Sequence, residues 1–195
     1  LCQETLVKQD TLYNDMKFTN GTILEKADII LANEPMGLKN ILYKDCCERI
    51  KEMKISGTKA EPLFLQLFMS ALNDGGRCAV IVPDGVLFNE SKLHGGTRKY
   101  LVDNFNLKKV VSLDDDFFLN TGVKTSILFF TKDGQQTQSV DFCQICLKDD
   151  QLVETSVVKV SYQQIKDSKY SLFINTYNAE RVSKIMDMEY KKLGD

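Results

Sequence analysis

The run Asp28-Ile29-Ile30-Leu31-Ala32 constrains this chain more than any other stretch. It reads as a short apolar strand of the buried kind, which needs helices over its faces and parallel neighbours beside it. It stops abruptly at Asn33, and Pro35 and Gly37 then force a turn. An amide side chain is therefore displayed where a sheet strand ends, the position at which open α/β sheets bind ligands. Taken alone, Asn33 also suits a turn cap, because Asn commonly bonds its own backbone.

The segments that follow fit the same architecture. Ala60 to Asn73 reads as a helix, with Leu63, Phe64, Leu67, Phe68, Ala71 and Leu72 on one apolar core stripe and Pro62 in the first turn. Asp74-Gly75-Gly76 is expected to end it. Arg77 to Val82 reads as a second buried strand closed by Pro83-Asp84-Gly85. Gly95-Gly96-Thr97 leads into a helix from Thr97 to Asn104. Leu107 to Leu113 and Lys124 to Lys132 are two further strands. Residues 139–147 and 152–160 read as another strand pair, followed by a helical turn from Ser161 to Asp167 and an extended Tyr170 to Ile174. Residues 178–193 carry a charged amphipathic helix, and Leu1 to Val7 the end of a helix or strand. Residues 13–26 read as loop. Residues 37–59, charged and aperiodic, read as a mobile connection or a solvated linker. The alternation of strand and helix predicts an α/β fold. The expected division is 1–134 for the main domain and 135–195 for a small C-terminal extension.

Charge and cysteine usage limit what such a domain can do. The formal net charge is −2 over 195 residues, so no global basic field draws it to nucleic acid, and DNA contact requires a local patch or a partner. No signal peptide and no long apolar run is present, which predicts an intracellular, cytoplasmic protein with no membrane partner and free thiols. Cys143 and Cys146 have CxxC spacing, but inside an alternating strand their sulfurs point to opposite faces, so no metal site is expected. His94, the single histidine, has no telling neighbour and reads as a surface loop residue. Asp114-Asp115-Asp116 reads as a solvated acidic turn.

Four colinear segments carry a family resemblance. They are Ala27 to Gly37; Pro62 to Gln66 with Gly75-Gly76-Arg77 and Val82 to Phe88; Phe117 with Thr121 to Phe130; and Tyr170 to Asn175. In this order they resemble the N6-adenine DNA methylase family, in particular the modification subunit of type I restriction-modification systems. The resemblance implies a partial Rossmann-like class I methyltransferase sheet, on the side of strands 4 to 7, with a small C-terminal β/α extension. It implies S-adenosylmethionine as cofactor, double-stranded DNA as substrate, and specificity and restriction subunits as partners. The family's motif is Asp, an apolar run, then Asn-Pro-Pro-Phe. An adenine amino group is a poor nucleophile because its lone pair is delocalised into the ring. By the resemblance, the Asn33 side chain and the Glu34 carbonyl would hold that nitrogen in a tetrahedral geometry, with the base flipped out of the duplex. Pro35 keeps the second proline, and Met36 would face the base. Asp10 resembles the acidic residue that contacts the cofactor adenine.

Two positions depart from the motif. Glu34 replaces the first proline and is expected to add a charge close to where DNA phosphates would lie. Met36 replaces the aromatic platform with a thioether. The family's Gly-rich cofactor turn belongs upstream, no Asp-x-x-x-Gly-x-Gly element occurs, and the sequence opens at Leu1 rather than Met. A fragment is expected from this, one that does not bind S-adenosylmethionine well alone. Two functions stay open on the sequence: an adenine-specific DNA methyltransferase subunit, and a methyltransferase-like component of an assembly that lacks activity.

Overall fold

A computed structural model describes residues 10–14, 25–114, 117, 123–148 and 151–178. Its elements are β1 (Ala27–Asn33), a 3₁₀ turn (Tyr43–Asp45), α1 (Glu48–Lys51), α2 (Ala60–Ala71), β2 (Leu72–Pro83), α3 (Gly85–Phe88), α4 (Lys92–Asn104), β3 (Asn106–Leu113), β4 (Thr125–Thr131), β5 (Ser139–Lys148), β6 (Gln151–Ser161) and α5 (Tyr162–Asp167). The strands pair in the order β1-β2-β4-β3-β5-β6. β1 is parallel to β2 and β3 to β5, while β4 is antiparallel to both β2 and β3, and β6 to β5. Thus β1, β2, β3 and β5 run one way, and β4 and β6 the other. The α/β architecture expected from the strand–helix alternation is present, and β5 and β6 continue the same sheet.

Alternation along the strands decides which face is packed. Cys78, Val80 and Val82 of β2, Leu107 and Val110 of β3, Leu128 and Phe130 of β4, and Val140 and Phe142 of β5 point into one core with α2, α4 and α5. Phe130 is its centre, with the Phe105 ring set edge-on at 5.7 Å. On the opposite face Ile29 and Leu31 are exposed, and Ala79 and Phe129 half-buried, which corrects the reading of 28–32 as a buried strand: β1 is the edge strand of the described sheet and has one open face. No described helix is long and apolar enough to cross a membrane.

α2 is buried on nearly all sides, because it separates two cores. Leu65 and Met69 face the sheet, whereas Ala60, Leu63, Phe64 and Leu67 face a second cluster with Leu12, Ile41, Cys46, Cys47 and Ile50. This corrects the reading of 37–59 as a mobile connection or solvated linker. Its apolar residues are spaced irregularly because they follow short turns, yet they close over α2. The buried Gln66 is held by its Nε2 donating to the Ile55 carbonyl at 3.2 Å and to Thr97 Oγ1 at 3.0 Å.

Other boundaries also move. α2 stops at Ala71, and Gly75-Gly76 lies inside β2 rather than capping the helix. There the Gly75 N–H donates to the Lys132 carbonyl and the Lys132 N–H to that of Gly76. α4 begins at Lys92, so Gly95-Gly96 is helical; a Cβ on Gly96 would meet Ile55 at 3.1 Å, so glycine permits this close approach. His94 is buried in the first turn of α4, not on a surface loop, and its Nδ1 meets the N-cap Ser91 hydroxyl at 2.7 Å. Burial, and next the charge of Arg98, hold the imidazole below its ordinary range. Ser161 caps α5 through a reciprocal box with Gln164, as Ser followed by Gln at the third helical position allows. Tyr170 to Ile174 is not extended throughout: residues 168–170 turn, and a helix occupies 174–178. The expected helix beyond 178, Leu1 to Val7, and Asp115-Asp116 lie outside the described residues.

Phe130→Ala is expected to destabilise the domain by about 3–5 kcal/mol, the cost of a large ring deleted from a closed core. Leu152→Ala, at an exposed site, should stay within about 0.5 kcal/mol. Urea unfolding of the two variants checks both.

Candidate functional site

β1 delivers its last residue, Asn33, to the carboxyl edge of the sheet, where Asn33 pairs with Ile81 in β2. Beyond it the chain continues the alternation of a strand. Asn33 and Pro35 are exposed, and the Glu34 side chain between them turns inward. Met36 is half-buried, and Gly37 closes the turn at φ +75°, a conformation that favours glycine. The Gly37 N–H donates to Glu61 Oε1 on α2 at 2.7 Å, which ties the turn to the helix behind it.

The inward course of Glu34 corrects the expected charge beside the site. Its side chain is only 5% exposed, and neither carboxyl oxygen has a hydrogen-bond partner among the described residues. Burial, and second the negative field of Glu61, push its carboxyl well above the ordinary carboxylate range. Cys78 lies close enough on β2 for burial first and Glu34 second to raise its thiol to about 12. The glutamate therefore presents no charge to the outer side of the turn.

Asp10 is brought to the same place by a short turn. Asp10 Oδ1 accepts the Leu12 N–H at 3.2 Å, and the Asp10 carbonyl accepts the Asn14 N–H at 3.0 Å. The Cys47 N–H donates to the Leu12 carbonyl at 2.8 Å, anchoring this turn to the segment before α1. A cavity of about 630 Å³ lies between the two turns, lined by Asp10, Thr11, Leu12, Tyr13, Pro35, Leu38, Ile41 and Phe64. Asp10 and Pro35 thus share one wall system, while Asn33 and Met36 are not among its described lining residues. Phe64, read from sequence as core alone, is both core and cavity wall. Tyr13, Leu38 and Ile41 carry no motif and were not legible as site residues; Glu61 was equally silent, since its partner is a backbone N–H. Most of the lining side chains are apolar or aromatic, and Asp10 adds acceptor oxygens to them.

A second cavity, of about 490 Å³, includes Lys26, Arg49, Glu52 and Lys132 in its lining. Lys26 precedes β1 and Lys132 follows β4, so it opens at the amino edge, away from Asn33. Ligands of open α/β sheets bind at the carboxyl edge, and the chemistry there selects the first cavity.

Comparison with known proteins identifies the family and the fold. The family profile described as N-6 DNA Methylase matches residues 3–189. The methylase subunit of the type I restriction enzyme EcoEI from Escherichia coli is 40% identical over 119 residues, covering 60% of this chain and 23% of that protein. The crystal structure of the M protein of the type I restriction enzyme EcoKI superposes with TM-score 0.52 at 30% identity, over 63% of this chain and 26% of that one. A type I restriction-modification methyltransferase subunit from Streptococcus thermophilus shares the fold, with TM-score 0.67 at 22% identity over 85% of this chain and 40% of that one. The chain spans under a quarter of the length of the EcoEI relative.

Because nothing lies within 4 Å of a Cβ built on Gly37, its replacement tests backbone strain alone. Gly37→Ala is expected to cost about 1 kcal/mol, and Gly37→Asn less. Denaturant midpoints of the two variants measure the difference.

Proposed function

This chain belongs to the N-6 DNA methylase family, and we propose that it forms part of the catalytic domain of a type I modification subunit that methylates the amino group of adenine in double-stranded DNA. The observation that carries the reading is the shared cavity: Asp10 and Pro35 both line it, and Pro35 is two residues beyond the exposed Asn33 at the carboxyl end of a parallel strand. The cavity suits the adenine end of S-adenosylmethionine. Phe64, Leu12 and Ile41 would sandwich a flat ring, and Asp10 would accept a hydrogen bond from its amino group or sugar hydroxyl. When bound, that cofactor supplies a methyl group on a positively charged sulfur.

The chain's own contribution is acceptor geometry. The target nitrogen is a weak nucleophile until its lone pair leaves conjugation with the ring. An acceptor amide oxygen on Asn33 and the backbone carbonyl of Glu34 would bind its two hydrogens and favour the tetrahedral form. The backbone that carries both acceptors is held before the base arrives, by the β1–β2 pairing on one side and the Gly37–Glu61 bond on the other. Such preorganisation avoids reorganisation during the reaction. The target base must leave the helical stack to reach the turn, and a half-buried Met36 offers it thioether contact in place of an aromatic face.

The alternative, a component without activity, draws on the two altered motif positions and on the cofactor turn that the sequence does not contain. The burial of Glu34 removes the expected charge at the site, and the identity to type I methylase subunits favours the enzyme. The reading places the protein in the cytoplasm with its DNA. It also assigns a specificity subunit to choose the sequence and a restriction subunit to the wider assembly, in keeping with a chain whose own net charge is −2.

Asn33→Ala in the full-length protein is expected to lower kcat for adenine methylation by on the order of 10²-fold with the fold retained. Asp10→Ala should instead raise KM for S-adenosylmethionine. Met36→Phe should increase methylation about 5-fold, the equivalent of ~1 kcal/mol of base stacking. Initial rates with a labelled methyl donor distinguish the three; an unaltered rate in Asn33→Ala would refute the assignment.

A further inference from the structure

The Asn33 turn contains one group that the proposed chemistry does not use. Glu34 stands where a neutral proline ring belongs in the motif, and its side chain is folded inward with both oxygens buried and without a partner among the described residues. A buried carboxylate lacking any donor is strongly disfavoured, whereas a neutral acid of the same shape is tolerated in an apolar slot. Asn33 and Pro35 face outward because the residue between them faces inward. The inward anchor therefore decides how the acceptor groups are presented.

We infer that Glu34 is a positioning residue that works as a neutral carboxylic acid, locking the Asn33–Gly37 turn while it keeps its proton and releasing the turn when it ionises. This deepens the methyltransferase reading and rests on it only for the catalytic consequence. The titratable neighbours acting on Glu34 among the described residues are Glu61 from α2 and Cys78 from β2. Neither supplies a positive charge. A second negative charge beneath the turn would face Glu61, whose Oε1 is the acceptor that holds the Gly37 N–H. Ionisation would thus load the Gly37–Glu61 bond that pins the turn to α2. Burial, and next Glu61, raise the Glu34 carboxyl, so the proton persists into a range where an exposed glutamate has lost it.

The sign of the pH dependence follows. Below the ordinary carboxylate range, the folded and unfolded chains both hold the proton and Glu34 imposes no penalty. As pH rises, the unfolded chain releases its proton first, and stability falls until the folded-state value is passed. Glu34→Gln keeps the shape without an ionisable proton, so it should flatten this fall.

The test compares the full-length protein with its Glu34→Gln and Glu34→Leu variants, the second retaining an uncharged anchor should the first not fold. Difference infrared spectra taken just above the ordinary carboxylate range should show, in the wild type only, the carbonyl stretch of a protonated carboxylic acid. Melting temperatures from about pH 5 to about pH 9 should fall more steeply in the wild type than in either variant. Deuterium uptake of the peptide covering 33–37 should rise in the wild type relative to the variants at the alkaline end. Methylation should show an alkaline fall in the wild type that the neutral variants lack. Absence of the protonated-acid band, or identical pH slopes in all three proteins, overturns the inference. These spectroscopic and exchange results do not depend on turnover. If they appear while Asn33→Ala leaves methylation unaltered, the function fails and the neutral acid stands. If they are absent while Asn33→Ala abolishes methylation, the function stands and this inference fails.

Discussion

The parallel pairing of β1 with β2 is the constraint on which the rest depends. It is maintained in continuous register from Ile29 with Arg77 to Asn33 with Ile81, and it ends there because Pro35 cannot extend the ladder. A parallel neighbour requires a crossover, and the chain supplies one through 37–59 and α2. That crossover returns twice to the strand it left. Glu61 on α2 grips the Gly37 N–H, and Phe64 one turn further along walls the cavity beside Pro35. The connection that permits the pairing also shapes the site at its end.

α2 carries this double duty because it lies between two cores. Its sheet side, Leu65 and Met69, fixes its height over β2; its outer side, Leu63 and Leu67, receives the Ile41 to Ile50 segment. That segment in turn holds the Asp10 turn through Cys47 and Leu12. The Asp10 turn is thus held against the outer side of α2, the helix that also grips Gly37. Elsewhere, Arg98 plays a comparable structural part. It is buried, has no carboxylate partner among the described residues, and donates to the carbonyls of Val86, Asn89 and Tyr170, so α3, α4 and the turn at 168–170 are joined.

Much of this was legible in the sequence where periodicity or turn chemistry speaks. The apolar run before Asn33, the helix with Pro62 in its first turn, and the β-branched strands at 107–113 and 124–132 each announced their elements. Glycine misled twice. Gly75-Gly76 reads as a helix end but sits inside a strand, and Gly95-Gly96 reads as a helix entrance but lies within α4, where close approach to Ile55 uses the missing side chain. His94 and Glu34 misled for one reason: composition records charge, not the direction of a side chain. A single-residue alternation turned Glu34 inward, and an N-cap serine turned His94 into the helix. The cavity walls at Tyr13, Leu38 and Ile41 had no local signal, since they converge only through tertiary packing.

The account centres on the cavity lined by Asp10 and Pro35 as the place where the cofactor's adenine lies. A crystal structure of the full-length protein with S-adenosylhomocysteine tests this most directly. The predicted result is the ligand's purine ring against Phe64, Leu12 and Ile41 with the Asp10 carboxylate at its edge. A purine bound instead at the amino edge, beside Lys26 and Lys132, or held away from Asp10 and Phe64 altogether, would contradict it.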